Sequence, residues 1–301
     1  METHLPLAGS LNPAHWVMRQ IRGITGHEGG DLTAFESPEG DPGWFGPQSV
    51  VWTVHAHFVS MMVGGIGSLF LQALHPRALA AVWDHSNFRE DLRGRLGRTA
   101  YFIAATTYGP AHLAQRVVER VNLIHARIQG QMPDGSPYTA NEPDLIEWVH
   151  LGEVLCFLEA YQRLSTTPLG PVQINQYLRE TARVGMALGA RHLPTTHSDL
   201  LQALEDRRPQ LQLNDRTRQT HAWIRALPDQ SPQPLLMRTL VDEALQTLPA
   251  WVLVMLGEPV RAKEKTPLKQ QGLKWLGNWI QPTLETHGVV GVARRRAAAT
   301  A

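Results

Sequence analysis

His125 is the side chain in this 301-residue sequence whose position most clearly calls for a chemical explanation. It lies on one face of a predicted helix, where apolar residues recur every three or four positions. The apolar stripe consists of Ala114, Val117, Val118, Val121, Ile124, His125 and Ile128. A buried neutral imidazole needs partners for both ring nitrogens, so His125 is either a satisfied core histidine or the ligand of a bound group. Haem iron is one group commonly held in this way.

Three polar residues share one face of the predicted helix that precedes the His125 helix in the chain. Arg95, Arg98 and Thr99 are spaced i, i+3 and i+4. Cations at these positions could pair with haem propionates or stand over the iron. Alternatively they belong to a solvated basic face, since Arg89 and Arg93 are close in the sequence. The sequence has no CxxCH motif, so a haem bound here would be non-covalent, as haem b is.

Other catalytic signatures are absent from the sequence, which has no GxSxG, Walker or HExxH motif. The single cysteine, Cys156, excludes an intramolecular disulfide framework, and we interpret it as a small buried hydrophobic residue rather than a nucleophile. His55 and His57 are two residues apart, so on a helix they diverge too far to share a metal ion. A zinc or di-iron site built from scattered histidines and glutamates stays open, but no spacing supports it.

The composition predicts a globular protein. The 28 basic and 27 acidic residues give a net charge of +1, which argues against nucleic-acid binding. The first residues lack the basic and apolar regions of a secretory signal. Residues 58–74 form the longest apolar stretch, 17 uncharged residues, which is shorter than the roughly 20 of a membrane span. We therefore expect a cytoplasmic protein without a membrane span.

The periodicity predicts an all-α fold, and no run alternates long enough to predict a strand or hairpin. Helices are predicted at 49–59, 60–74, 76–84, 93–108, 110–129, 142–164, 171–188, 214–226 and 232–248. The helix at 142–164 is apolar nearly all round, which predicts burial at the centre of one large helical domain.

Three regions are expected along the chain. Residues 1–47 form an N-terminal arm rich in turn signals, and residues 48–262 form the helical domain. Residues 263–301 contain a linker, a short amphipathic helix and a frayed basic tail. Trp275 and Trp279 share one face of that helix. This face could dock on a membrane surface, but we favour its packing onto the protein's own core.

Three sequence runs, in serial order, resemble a known family. They are LFLQALHPRALAAVWDHSNFREDLRGRLGRTAYFIAATTYG, VNLIHARIQG and GSPYTANEPDLIEWVH. Over residues 43–261 the chain closely resembles the MpaB and latex-clearing-protein family. The resemblance implies a haem b dioxygenase on an enlarged globin-like helical core. The best-known members cleave isoprenoid carbon–carbon double bonds with O₂.

The resemblance also implies roles for individual residues. The rubber-cleaving branch carries an Arg-x-x-Lys-Thr motif before its proximal histidine. Arg95, Arg98 and Thr99 match that motif, and His125 matches the proximal iron ligand. Arg98 replaces the family's distal lysine, and because a guanidinium cannot ligate iron, the sixth coordination position should be open or water-filled. The branch's acidic residue has no counterpart in PRALAAV. Both departures argue against polyisoprene cleavage but not against haem binding.

We therefore expect a haem b oxygenase or oxidoreductase that uses O₂ as co-substrate, with His125 ligating the iron. Arg95 and Thr99 would position the haem, and Arg98 would donate hydrogen bonds on its distal side. His150 is either a second pocket residue or a core histidine. The substrate should be a small, apolar, unsaturated molecule, because the predicted pocket helices are apolar. The alternatives are a haem-binding or O₂-sensing module without turnover, and a haem-free helical interaction protein. The sequence indicates no oligomeric state.

Overall fold

Helices make up most of residues 32–260 and 268–299, which are the residues that this computed structural model describes. The α-helices are α1 (Val50–Ala56), α2 (Phe58–Gln72), α3 (Pro76–His85), α4 (Leu92–Tyr108), α5 (Ala111–His125), α6 (Pro143–Leu164), α7 (Pro171–Ala187), α8 (His197–Arg207), α9 (Asp215–Arg225), α10 (Pro234–Leu245), α11 (Ala250–Leu256), α12 (Leu268–His287) and α13 (Val289–Ala298). Short 3₁₀ turns occupy Leu32–Phe35, Arg208–Gln210 and Leu227–Gln230. The predicted all-α class is confirmed.

The α2–α6 pair forms the centre of the core, and two glycines of α2 allow α6 and the end of α10 to approach it closely. A Cβ atom at Gly64 would lie 2.7 Å from Phe157 Cδ1 and 2.8 Å from the Cys156 carbonyl oxygen. A Cβ atom at Gly67 would lie 2.4 Å from Thr247 Oγ1. Glycine therefore occurs within the most apolar run because the neighbouring helices leave no room for a side chain.

We expect Gly64→Ala to lower the free energy of unfolding by about 1–3 kcal/mol, because its methyl group would overlap the α6 backbone. Gly65→Ala is the matched control, since its Cβ atom would meet nothing closer than Phe157 Cε1 at 3.9 Å. Alanine there should stabilise the helix by up to about 1 kcal/mol. Urea unfolding of the two variants measures this difference, and equal free energies would refute the tight α2–α6 contact.

A two-stranded antiparallel sheet, which the sequence did not predict, connects α5 to α6. Its strands are β1 (Gln129–Gln131) and β2 (Pro137–Thr139), with Gly130 opposite Tyr138. The predicted helix at 110–129 accordingly ends earlier, at His125. Tyr138 is buried against α3, and its hydroxyl donates to Asp84 Oδ2 at 2.8 Å. Tertiary packing on α3 therefore supports strands too short to show a sequence pattern.

The expectation of a frayed C-terminal tail is wrong for residues 292–299. These residues belong mostly to α13, where the Arg296 side chain is 2% exposed. Its guanidinium donates to the carbonyl oxygens of Phe35, Asp41 and Tyr108 at 2.7–2.8 Å. This buried cation fastens the C-terminal helix to the N-terminal side of the helical domain.

The amphipathic segment near the C-terminus is longer than predicted and packs through a different face. It forms the 20-residue helix α12, which buries Leu273, Gly277, Ile280 and Leu284. Trp275 and Trp279 lie on the other side and are exposed, so the expectation that they pack onto the core is wrong. The arm at 1–31 and the linker at 263–267 lie outside the described residues, and the predicted region boundaries stay predictions.

None of the described helices is long and apolar enough to cross a membrane by itself. The pairs α1–α2 and α10–α11 reach that length and hydropathy only together, and they bend by 88° and 118° between their members.

Candidate functional site

Helices α4 and α6 share neighbours at two places along their lengths. At one end Leu96 of α4 and Val149 of α6 line the same pocket. At the other end Thr107 of α4 and Phe157 of α6 both contact His55. Between these two places lie residues 96–107 of α4 and residues 149–157 of α6. We call the space between these two segments the α4–α6 cleft.

The middle of the α4–α6 cleft is incompletely filled. Ala100 shares a helical face with Leu96 and Thr107 but is exposed, and Ile103 is half-buried. On the facing stripe of α6, Glu153 is half-buried. Helix α5 packs extensively only against α4 among the described elements, so the α4–α5 pair stands away from α6. An apolar space between helices is a common place for a cofactor.

His125 is the last residue of α5, and its Nδ1 atom is buried without a hydrogen-bond partner among the described residues. Burial lowers the pKa of its imidazole, which is therefore neutral near pH 7. Asn122, one turn earlier, donates to the Ala187 carbonyl oxygen at the end of α7 at 3.0 Å. Because residues three apart share a helical face, His125 is directed toward the α7 side of the molecule.

The rest of the apolar stripe around His125 is only partly covered. Ala114 and Val118 are buried, as predicted, but Ile124 is 48% exposed. The stripe therefore packs at its N-terminal half and leaves apolar surface uncovered next to His125.

His150, the second predicted pocket residue, is half-buried on α6 and packs against α7. A Cβ atom at Gly185 would lie 2.9 Å from His150 Nδ1. Burial lowers the pKa of His150 to about 4, so the ring is neutral. A core position and a pocket position would both lower this pKa by burial, so the role of His150 stays a prediction.

Sequence analysis missed Glu153, which lies one turn after His150 on the cleft side of α6. Burial raises the pKa of Glu153 to about 7, while a hydrogen bond from Gln72 acts in the opposite direction. Its carboxyl group can therefore hold or release a proton near neutral pH. A signal was present in the sequence, since Glu153 interrupts a helix that is apolar nearly all round.

Sequence analysis also missed the role of His55, which lies at one end of the α4–α6 cleft. His55 Nδ1 lies 2.8 Å from Thr107 Oγ1, and His55 Nε2 lies 3.3 Å from the Tyr177 hydroxyl. Burial lowers the pKa of His55 to about 3, so this imidazole stays neutral. With both ring nitrogens in hydrogen bonds, His55 joins α1, α4 and α7 and is a structural group.

The three predicted polar residues of α4 do not lie together. Arg95 is half-buried and donates to Ser86 Oγ at 2.6 Å, while burial and the nearby Arg98 lower its pKa. The Arg98 side chain is 63% exposed and pairs with Asp91 at 3.5 Å. Thr99 is exposed, and its hydroxyl donates to the Arg95 carbonyl oxygen. The structure therefore brings Arg95 toward the interior but leaves Arg98 and Thr99 at the surface.

An apolar pocket of about 60 Å³, partly open to solvent, adjoins the Leu96 end of the cleft. Its lining includes Leu69, Leu79, Phe88, Val149, Trp223 and Ile224. Arg95 and Gln72 are polar groups at its wall, so the pocket combines an apolar interior with a cation. Such a lining suits an apolar molecule that carries, or lies beside, a negatively charged group.

Cys156 is buried in α6, as predicted, and burial raises the pKa of its thiol to about 12. A thiol with this pKa is not a nucleophile near neutral pH. The described residues contain no group of three or more histidine, cysteine, aspartate or glutamate side chains placed to hold a metal ion.

Comparison with known proteins identifies the family. A family model described as "ER-bound oxygenase mpaB/B'/Rubber oxygenase, catalytic domain" matches residues 52–281. No curated protein and no solved structure matches the chain. The matched range contains the whole α4–α6 cleft, His125 and most of α12.

Proposed function

This chain belongs to the MpaB and rubber oxygenase catalytic-domain family, and we propose that it is a haem b-dependent oxygenase acting on a small, apolar, unsaturated molecule. The family is one of oxygenases, so the use of O₂ follows from membership. The haem and the class of substrate are our proposal, and the geometry of the α4–α6 cleft supports them.

The buried Nδ1 atom of His125 is the observation that carries the haem proposal. A buried polar atom without a partner costs about 1–3 kcal/mol, and a bound group that orders the imidazole would offset this cost. The ring is neutral, which is the state in which an imidazole has a lone pair for a metal ion. A single protein side chain can hold a haem group, and His125 would be that side chain here.

The residues around the cleft fit a haem group in other respects. Leu96, Ile103, Val149 and Phe157 provide apolar walls, while the uncovered stripe beside His125 provides a face on which a planar group can pack. When bound, haem b would supply the iron that activates O₂. His125 would hold the iron, and the half-buried Arg95 would pair with a propionate.

Glu153 gives the site a group that can exchange a proton. Its carboxyl Oε atoms lie in a half-buried part of the cleft wall, and a pKa of about 7 lets them donate or accept a proton near neutral pH. PRALAAV lacks the acidic residue of the rubber-cleaving branch. We assign this task to Glu153, which lies on a different helix from that segment.

The structure supports a role in the site less strongly for Arg98 than for Arg95. Its side chain would have to leave its exposed pair with Asp91 to reach a distal position. Thr99 is exposed as well and bonds only within its own helix turn. We retain the proposal that Arg98, unlike the family's lysine, would not ligate the iron, because a guanidinium has no free lone pair.

We expect Arg95→Ala to weaken haem binding about 10- to 100-fold, since a partly desolvated charge-assisted hydrogen bond is worth about 1.5–3 kcal/mol. Arg98→Ala is the matched control on the same helix, and it should change haem affinity less than about twofold because its charge is screened by solvent. Haem titration monitored by absorbance measures both affinities. If neither substitution changes the haem affinity, Arg95 belongs to a solvated basic surface and does not bind haem.

The pocket next to the cleft supports an apolar substrate. Its aromatic side is built by Phe88, which packs edge-on against Trp83 and Trp223 at centroid distances of 6.0 and 5.3 Å. Phe88 and Trp223 form part of the pocket wall together with Leu96. The requirement for a double bond comes from the family resemblance alone.

Oxygen consumption by the haem-loaded protein tests the proposed function. An isoprenoid alkene should be consumed with O₂ and yield carbonyl products by mass spectrometry, whereas its saturated analogue should not react. Haem binding without product from any alkene would favour the O₂-sensing alternative. A colourless protein after expression with added haem would favour the haem-free alternative.

A further inference from the structure

One long side of α12 is apolar, aromatic and exposed. Leu268, Trp275 and Trp279 are 86%, 68% and 48% exposed, and their spacing places them on one helical face. The two indole rings stack in parallel, with centroids 6.2 Å apart and planes 6° apart. The opposite face of α12, which includes Leu273 and Ile280, is the one that packs into the core.

Basic side chains surround this face. Lys269 and Lys274 lie on its two flanks by helical geometry, and Arg295 of α13 donates to the Thr286 carbonyl oxygen at its C-terminal end. Lys269 pairs with Asp242, but Lys274 and Arg295 form no ion pair with a described residue. Residues 268–299 contain five basic residues and one acidic residue, in a chain of net charge +1.

We propose that this face of α12 docks on the surface of an anionic lipid bilayer. An exposed stripe of leucine and tryptophan between basic residues is typical of helices that lie in the plane of a membrane interface. Tryptophan favours this region because its ring is apolar while its N–H group can remain hydrated. Helix α12 would lie parallel to the membrane, with Lys274 and Arg295 against lipid phosphates.

The charge pattern favours a lipid surface over a second copy of the chain. Contact between two such faces would bring two sets of basic residues together, and this repulsion opposes self-association. The face is also the convex side of one helix, with the tryptophans side by side. It is suited to shallow insertion among lipid headgroups rather than to holding a ligand in a groove.

Co-sedimentation of the full chain with vesicles tests the proposal. Phosphatidylcholine vesicles that contain phosphatidylglycerol should bind the protein, pure phosphatidylcholine vesicles should bind it less, and added salt should weaken binding. The double variant Trp275→Ala/Trp279→Ala should lower partitioning about tenfold or more. Lys274→Glu/Arg295→Glu should reduce binding selectively for the anionic vesicles.

The matched control is Val172→Ala/Met186→Ala on α7, which removes two exposed apolar side chains far from the basic region. It should bind vesicles as the unmodified protein does. Equal binding by the tryptophan variant and this control would overturn the proposal, as would failure to bind anionic vesicles. A tryptophan-dependent dimer in sedimentation without vesicle binding would assign the face to a second copy instead. Circular dichroism verifies that each variant is folded.

Discussion

His125→Ala should abolish haem binding or weaken it by more than about 100-fold. Even outer partners of metal ligands change metal affinity by about 10–100-fold, so removal of the ligand itself should cost more. The Soret absorbance of protein expressed with added haem measures the loss. The substitution should leave the fold intact, because the His125 side chain forms no hydrogen bond through its buried Nδ1 atom.

His112→Ala is the matched control for this prediction. His112 lies on the same helix as His125 but is exposed at its N-terminal end. Its replacement should leave the haem content unchanged. Normal haem content in the His125 variant would make His125 a core histidine and remove the basis of the site.

Glu153→Gln should lower turnover about 100-fold while leaving haem content unchanged, because proton transfer by a positioned group contributes at least about that factor. The activity of the unmodified protein should change with pH around the Glu153 pKa of about 7, and the variant should lose this dependence. Glu159→Gln, also half-buried on α6, is the control and should retain both activity and pH profile.

The stability of the same variant gives a readout independent of catalysis. Burial raises the pKa of Glu153, so the folded protein binds this proton more tightly than the unfolded chain does. Stability from this residue is present at low pH and falls as pH rises from about 4.5 to about 7. Glu153→Gln should therefore raise the Tm at pH 8 but not at pH 4. An unchanged Tm at pH 8 would show that the carboxyl group is well solvated.

Helices with strong apolar periodicity could be predicted from the sequence. The bounds of α6 and α7 follow from the apolar pattern and from proline in the first turn of each. Burial of Cys156 was also predictable, since Leu155, Phe157 and Leu158 beside it are apolar. In these segments the local sequence preference and the tertiary structure agree, which explains why the pattern was sufficient.

Features that depend on distant contacts could not be predicted. The burial of α13 depends on Arg296, whose partners include the carbonyl oxygen of Phe35 at the other end of the chain. Spacing placed Arg95, Arg98 and Thr99 on one helical face, but it could not show that only Arg95 reaches a neighbour, Ser86, toward the interior. The proton affinity of Glu153 likewise arises from burial by surrounding helices.

The face through which α12 packs also depends on distant contacts and could not be predicted from the sequence. An amphipathic helix shows which residues share a side but not which side meets the core when both carry apolar groups. One face of α12 carries aliphatic side chains and the other carries two tryptophans. The aliphatic face is buried, with Leu273, Ile280 and Leu284, while Trp275 and Trp279 are exposed. The glycine at 277 allows close approach, since a Cβ atom there would lie 3.1 Å from the His57 ring.

Haem titration of the purified chain, followed by Soret absorbance, tests the central claim most directly. We predict saturable binding of one haem per chain, with a spectrum distinct from that of free haem and absent from the His125→Ala variant. Titration without saturation, or an identical titration curve for the variant, would contradict the assignment of His125 as the iron ligand.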